Sequence, residues 1–126
     1  MSGGVTLDAG PLLKLDRGDR RVLVLIARAE ERGLRLVVPA SALAQAMRDP
    51  ARQARLSRLL RQPLTEVVAL DRVDATSVGR LLAASATSDI ADAHVVVCAR
   101  RVGTGVVTSD PGDLRRLDPY VRLTVV

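Results

Sequence analysis

Apolar positions along the chain fall into two alternating kinds of run. Short, near-continuous stretches at residues 5–7, 34–38, 66–70, 106–108 and 121–126 are bounded by glycine, proline or acidic residues and read as strands. The segments between them carry apolar residues at helical spacing. A short helical piece at residues 12–15 precedes a helix opened by Asp16-Arg17-Gly18-Asp19, with Val22, Leu23, Leu25, Ile26 and Ala29 on one broad face and Gly33 as its stop. Pro39-Ala40-Ser41 begins the next helix, through Leu43, Ala44, Gln45 and Met47, which Asp49-Pro50 interrupts. Residues 51–62 form a basic helix up to Pro63, and Asp71 caps another whose Val73, Val78, Leu81 and Leu82 face inward.

The most informative stretch is residues 88–113. Asp89 and Asp92 in a first turn, an apolar middle from Val95 to Ala99, Arg100-Arg101 in the last turn and Gly103 as a stop make a helix whose charges complement its macrodipole. A buried strand follows, then Asp110-Pro111-Gly112-Asp113 opens a short helix at 114–117, and residues 121–126 read as an edge strand. Strand and helix alternate to the end, which predicts an α/β fold with an open, mostly parallel sheet covered by helices on both faces. Such sheets bind ligands beyond the carboxyl ends of strands, where the strand order reverses. Asp8 and Asp110 both stand at strand ends, and Asp89 and Asp92, three apart, share one side of a helix start.

The 126 residues read as one domain over 1–126. Tyr120 is the sole aromatic residue, so the core is built of Val, Leu, Ile and Ala, and recognition of bases by stacking on aromatic platforms is nearly excluded. The net charge of +5 rests on arginine, since Lys14 is the only lysine; this surplus suits an acidic or polyanionic partner. Cys98, the single cysteine, excludes an intrachain disulfide and fits a reduced, buried thiol. With no basic leader and no apolar run of membrane-spanning length, the expectation is a soluble, cytoplasmic protein without a membrane partner.

Each acidic candidate has a plain structural role beside a functional one. Asp8 alone is a turn aspartate, and Asp110 with Pro111 and Asp113 makes a capping box, which assigns Asp113 to structure. Asp92 is harder to explain by capping, because it leads into a buried-looking run. His94 reads as a packed or rim histidine, and no second histidine exists for a zinc site. Carboxylates converging in a cleft repel one another until a cation neutralises them, and oxygen-only ligands select Mg²⁺ or Mn²⁺. Such a site suits metal-assisted phosphodiester hydrolysis, with arginines holding the polyanion. Arg48, Arg52 and Arg55 are the candidates for RNA contact, although the helix they approach also reads as an ordinary solvated face.

Leu7-Asp8-Ala9, Val38-Pro39-Ala40-Ser41, residues 89–96 and Thr108-Ser109-Asp110-Pro111, in this order, resemble the PIN domain, and more narrowly the VapC-type toxins of bacterial type II toxin–antitoxin modules. The resemblance implies a three-layer α/β/α sandwich and a Mg²⁺-dependent endoribonuclease, with Asp8, Asp92 and Asp110 as catalytic and metal-holding residues. It also implies homodimerisation and a cognate antitoxin. The chain departs from the family pattern at Gln45, where a glutamate is usual; an amide carries no charge and cannot act as a base. Gly10 stands where relatives carry a small polar residue. Asp89 is the residue placed to compensate as a further ligand, with Gln45, Ser109 and Asp113 in supporting positions. The rival reading is a PIN-like module that binds RNA or an antitoxin without cleaving. A phosphoryl-accepting receiver is a third reading, weakened because Lys14 lies in the first short helix.

Overall fold

A computed structural model describes residues 3–126. Five strands, β1 (Gly4–Leu7), β2 (Arg35–Pro39), β3 (Thr65–Val68), β4 (Gly105–Thr108) and β5 (Leu123–Val125), form one sheet in the order β3-β2-β1-β4-β5. Every neighbouring pair is parallel. Helices α1 (Ala9–Asp16), α2 (Arg20–Glu31), α3 (Ala40–Ala46), α4 (Ala54–Leu60), α5 (Arg72–Ser85), α6 (Ile90–Val102) and α7 (Pro111–Leu117) fill the connections. Helices α5, α6 and α7 pack on one another, as do α1, α2 and α4 around α1, while α3 touches both α1 and α6. The result is the α/β/α sandwich expected from the strand and helix alternation.

Connection order places the site. The chain runs outward from β1 to β2 and β3, then crosses back to β4 and β5, so strand order reverses between β1 and β4. Leu7 is in register with Val107, and the Asp8 N–H donates to the Val107 carbonyl at 3.1 Å. Asp8 and Thr108 therefore leave the sheet side by side. The core beneath is aliphatic: Leu7, Leu12, Leu36, Leu56 and Leu114 are fully buried together with Val22, Val38, Val95, Val96 and Val106.

Several boundaries differ from the expectation, each for a local reason. Helix α1 starts directly after Asp8, not at Leu12, because Asp8 caps it and Pro11 falls in the first turn, where a missing N–H costs nothing. Helix α4 starts at Ala54, not at residue 51. The buried Gln53 side chain accepts from the Arg48 and Asp49 N–H groups and donates to the Ala46 carbonyl, which holds the preceding residues out of the helix. Strand β3 stops at Val68, leaving Leu70 exposed. Leu23 is exposed because the inward face of α2 consists of Val22, Ile26 and Ala29. Val73 is 69% exposed, since Asp74 and Val78, one turn apart, take the inward face of α5.

Helix α5 ends on Ala86 in the left-handed region, φ 55°, whereas α6 ends on Gly103 at φ 67°. A Cβ in this conformation is strained, and glycine relieves the strain. Ala86→Gly is expected to raise the unfolding free energy by about 1 kcal/mol. The check is a higher urea midpoint at unchanged slope; a lower midpoint contradicts it.

Candidate functional site

Thr108 ties the two strand ends together. Its hydroxyl donates to Asp8 Oδ2 at 2.8 Å and accepts from the Asp110 N–H at 2.9 Å, while Asp8 Oδ1 accepts from the Ala9 N–H at 2.8 Å. Asp8 is only 5% exposed, and burial pushes its carboxyl above the usual range. The Thr108 and Ala9 hydrogen bonds oppose that rise, and the charges of Asp89 and Asp113 add to it.

Helix α6 brings the second group. Asp89 is its N-cap, accepting from the Asp92 N–H at 2.9 Å, so the sequence that starts the helix also points Asp92 along its first turn. Asp92 is half-buried, and its carboxyl is pushed up to about 7, first by burial and then by the charges of Asp8, Asp89, Asp113 and Asp110. Five aspartates from three segments thus act on one another at the reversal of the sheet. Asp110 stands at the N-cap position of α7, yet its side chain makes no capping bond, so the expected capping box is absent. The neighbouring Asp110 carboxyl instead raises the Asp113 carboxyl above its ordinary range, through hydrogen bonding and through its charge.

A cleft of about 290 Å³ opens beside these groups, lined by Ala86, Thr87, Ser88, Asp89, Asp92, Asp113, Arg116 and Leu117. Arg116, one turn after Asp113, is its cationic residue, a position legible in the Asp-Leu-Arg-Arg spacing but not singled out from it. The arginines expected to contact RNA lie elsewhere. Arg48 donates to the Ala44 and Met47 carbonyls at the end of α3, Arg52 pairs with Asp49 at 3.5 Å, and Arg55 reaches the Asp16 carbonyl at 3.4 Å. Gln45 is exposed and makes no side-chain hydrogen bond among the described residues.

The family model of the PIN domain matches residues 5–118. The chain belongs to the PIN domain family. No curated protein matches it. PIN domains are in general metal-dependent nucleases, and the acidic edge of this PIN domain is where a divalent cation would sit. The donor set fits: the site offers carboxylate oxygens and hydroxyls without a thiolate, and the raised carboxyls lack a positive charge sufficient to offset them. No three of these carboxylates bring oxygens within 4.8 Å of one another among the described residues. An ion held by one or two carboxylates and otherwise by water needs no tighter cage.

A second cluster, missed in the sequence, joins Asp74, His94 and Cys98, whose ligand atoms do lie within 4.8 Å. Its chemistry does not fit a metal. Burial lowers the His94 pKa, so the ring is neutral; its Nε2–H donates to Asp74 at 3.1 Å and its Nδ1 accepts from the Ser41 hydroxyl at 3.0 Å. Arg101 takes the other Asp74 oxygen. Burial pushes the Cys98 thiol up to about 11, which keeps it protonated. The group is a satisfied polar clamp between α3, α5 and α6, and it fixes the helix start that carries Asp92. The expectation of a packed His94 matches this placement.

The raised Asp92 pKa sets the direction of a pH effect. Between the ordinary aspartate value and about 7 the native site binds more protons than the unfolded chain, so stability falls as pH rises through that interval. In EDTA, Tm is expected to fall between about pH 5 and about pH 8, and Mg²⁺ is expected to raise Tm more at the upper end. Equal Mg²⁺ effects at both ends contradict this.

Proposed function

We propose that this PIN domain is a Mg²⁺-dependent endoribonuclease, a VapC-like toxin that works in the cytoplasm as a homodimer and is restrained by a cognate antitoxin. The observation that carries the nuclease reading is Asp92, half-buried and raised to about 7 first by that burial and then by the charges of four neighbouring aspartates. Charge of one sign concentrated on that scale is a built-in demand for a cation.

Asp8, Asp92 and Asp110 are the proposed holders of Mg²⁺ or Mn²⁺, with Asp89 able to add its uncapped oxygen. When bound, such an ion neutralises a phosphodiester and lowers the pKa of an attacking water. The chain's own groups do the rest. Thr108 fixes the Asp8 carboxylate in one orientation, and the Asp89 cap fixes the first turn that carries Asp92. Arg116 draws a phosphate toward the cleft. The antitoxin reading draws support from the net charge of +5 and from a groove of about 580 Å³ beside α2, whose apolar floor of Val5, Leu25 and Val107 is edged by Arg20, Arg21, Arg28 and Arg32. An acidic segment with apolar side chains complements that surface.

A second reading, an RNA- or antitoxin-binding module that does not cleave, is favoured by the neutral, unpartnered Gln45. Incubation of the purified chain with structured RNA separates the two. The nuclease reading expects cleavage with Mg²⁺ or Mn²⁺, none in EDTA, and none in Asp8→Ala or Asp92→Asn at wild-type stability. RNA bound but intact in every metal supports the second reading.

A further inference from the structure

Parallel sheets occur with both faces covered by helices, and this sheet leaves part of one face open. Helices α5, α6 and α7 form one layer and α1, α2 and α4 the other, and the connection from β4 to β5 places its helix, α7, on the α6 side. Val5 is in register with Gly105, and Val107 with Thr124, so these residues share the opposite face, toward α2. There β5 packs extensively against β4 alone, and Thr124 is exposed. The strip between α2 and β5 is the groove of about 580 Å³ described above.

The wall that α2 turns toward this groove is a ladder of cations. Arg20, Val24, Arg28 and Arg32 follow one another at four-residue spacing, with Val24 43% exposed between the arginines. Like charges at that spacing repel, and Arg20 and Arg21 stand in the first turn of α2, where the helix dipole disfavours cations. No acidic residue lines the groove. Among the described residues Arg20, Arg28 and Arg32 make no ion pair, and Arg21 donates only to the Val125 carbonyl, at 2.8 Å. The ladder thus costs the free chain stability that an acidic neighbour would restore.

An occupant has to cover the apolar floor and bring carboxylates to the arginines. A nucleic acid backbone answers the arginines but leaves the floor bare, and Tyr120 does not line the groove to stack a base. A second copy of the chain, itself at +5, has the wrong sign. From Arg20 to Arg32 the ladder runs about 18 Å, or about three helical turns. A helix laid beside α2, at the usual spacing of about 8–10 Å between packed helices, falls over the uncovered strands.

We propose that the α2 side of β4 and β5 docks an acidic amphipathic helix of a partner protein, which completes the second helical layer. Its apolar stripe lies on Val5, Leu25 and Val107, and its carboxylates meet Arg28 and Arg32. The docked partner is the acidic segment inferred above for this groove, on which reading this rests, and it binds as a helix and not as an extended chain.

Fluorescence anisotropy of labelled synthetic peptides, titrated with the full chain, tests it. One peptide of about eighteen residues carries leucines at helical spacing on one face and glutamates along its flank; a second replaces two central residues by proline and cannot form the helix. The wild-type chain is expected to bind the first at least about tenfold more tightly than the second. Arg28→Glu/Arg32→Glu is expected to lose at least about tenfold toward the first peptide and to regain affinity for a peptide with lysines in place of the glutamates. Arg58→Glu/Arg61→Glu on α4, with the same change in net charge, is expected to stay within about twofold of wild type. Equal affinity for the helical and the proline peptide overturns the docked helix and leaves the acidic segment standing. Binding of neither peptide overturns both, and equal losses in the two double variants overturn the site by reducing it to net charge.

Discussion

Like-charge repulsion at the reversal of strand order is the constraint around which this molecule is arranged. Asp8 ends β1, Asp110 follows β4, and Asp89 and Asp92 begin the helix that crosses back over the sheet, so their convergence follows from the topology itself. Each aspartate is locally reasonable as a cap or turn residue. Burial first, and then the charges of its neighbours, leave Asp92 protonating near neutrality, a cost to the cation-free fold that a stability-optimised sequence would remove with one asparagine.

Holding such groups in place takes rigid support, and it comes from two hydrogen-bond systems of different kind. At the strand ends, the buried Thr108 hydroxyl links side chain and backbone across 100 residues of sequence. Between the helices, the Ser41–His94–Asp74–Arg101 chain clamps α6 against α3 and α5 with no exposed atom on the histidine. The second system is expensive to desolvate and fully paired, which suits specification of geometry more than gain of stability. A single residue, Ala93, separates His94 from Asp92, so rigidity there passes directly to the acidic edge.

Much of the architecture was legible because strands and helices here differ sharply in pattern. The β-branched runs at β2 and β4, the Gly103 stop and the caps at Asp71 and Asp89 sit where local chemistry puts them. The candidate aspartates were legible for the same reason: a strand end and a helix start are local features, and their meeting follows once the sheet is parallel. What stayed hidden depends on contacts between distant segments. Val73 looked like core, yet it is exposed, and the neighbouring Asp74 is buried in its pairing with Arg101 and His94. The fit of Ser109 against Gly10 and the arrival of Arg116 at the cleft are likewise products of packing, which periodicity does not encode.

Anomalous diffraction from crystals soaked in Mn²⁺ tests the electrostatic account most directly. It predicts one strong peak at the acidic edge, bonded to the Asp92 carboxylate and reaching Asp8 directly or through one water. A peak between Asp74, His94 and Cys98, or none at saturating Mn²⁺, contradicts it.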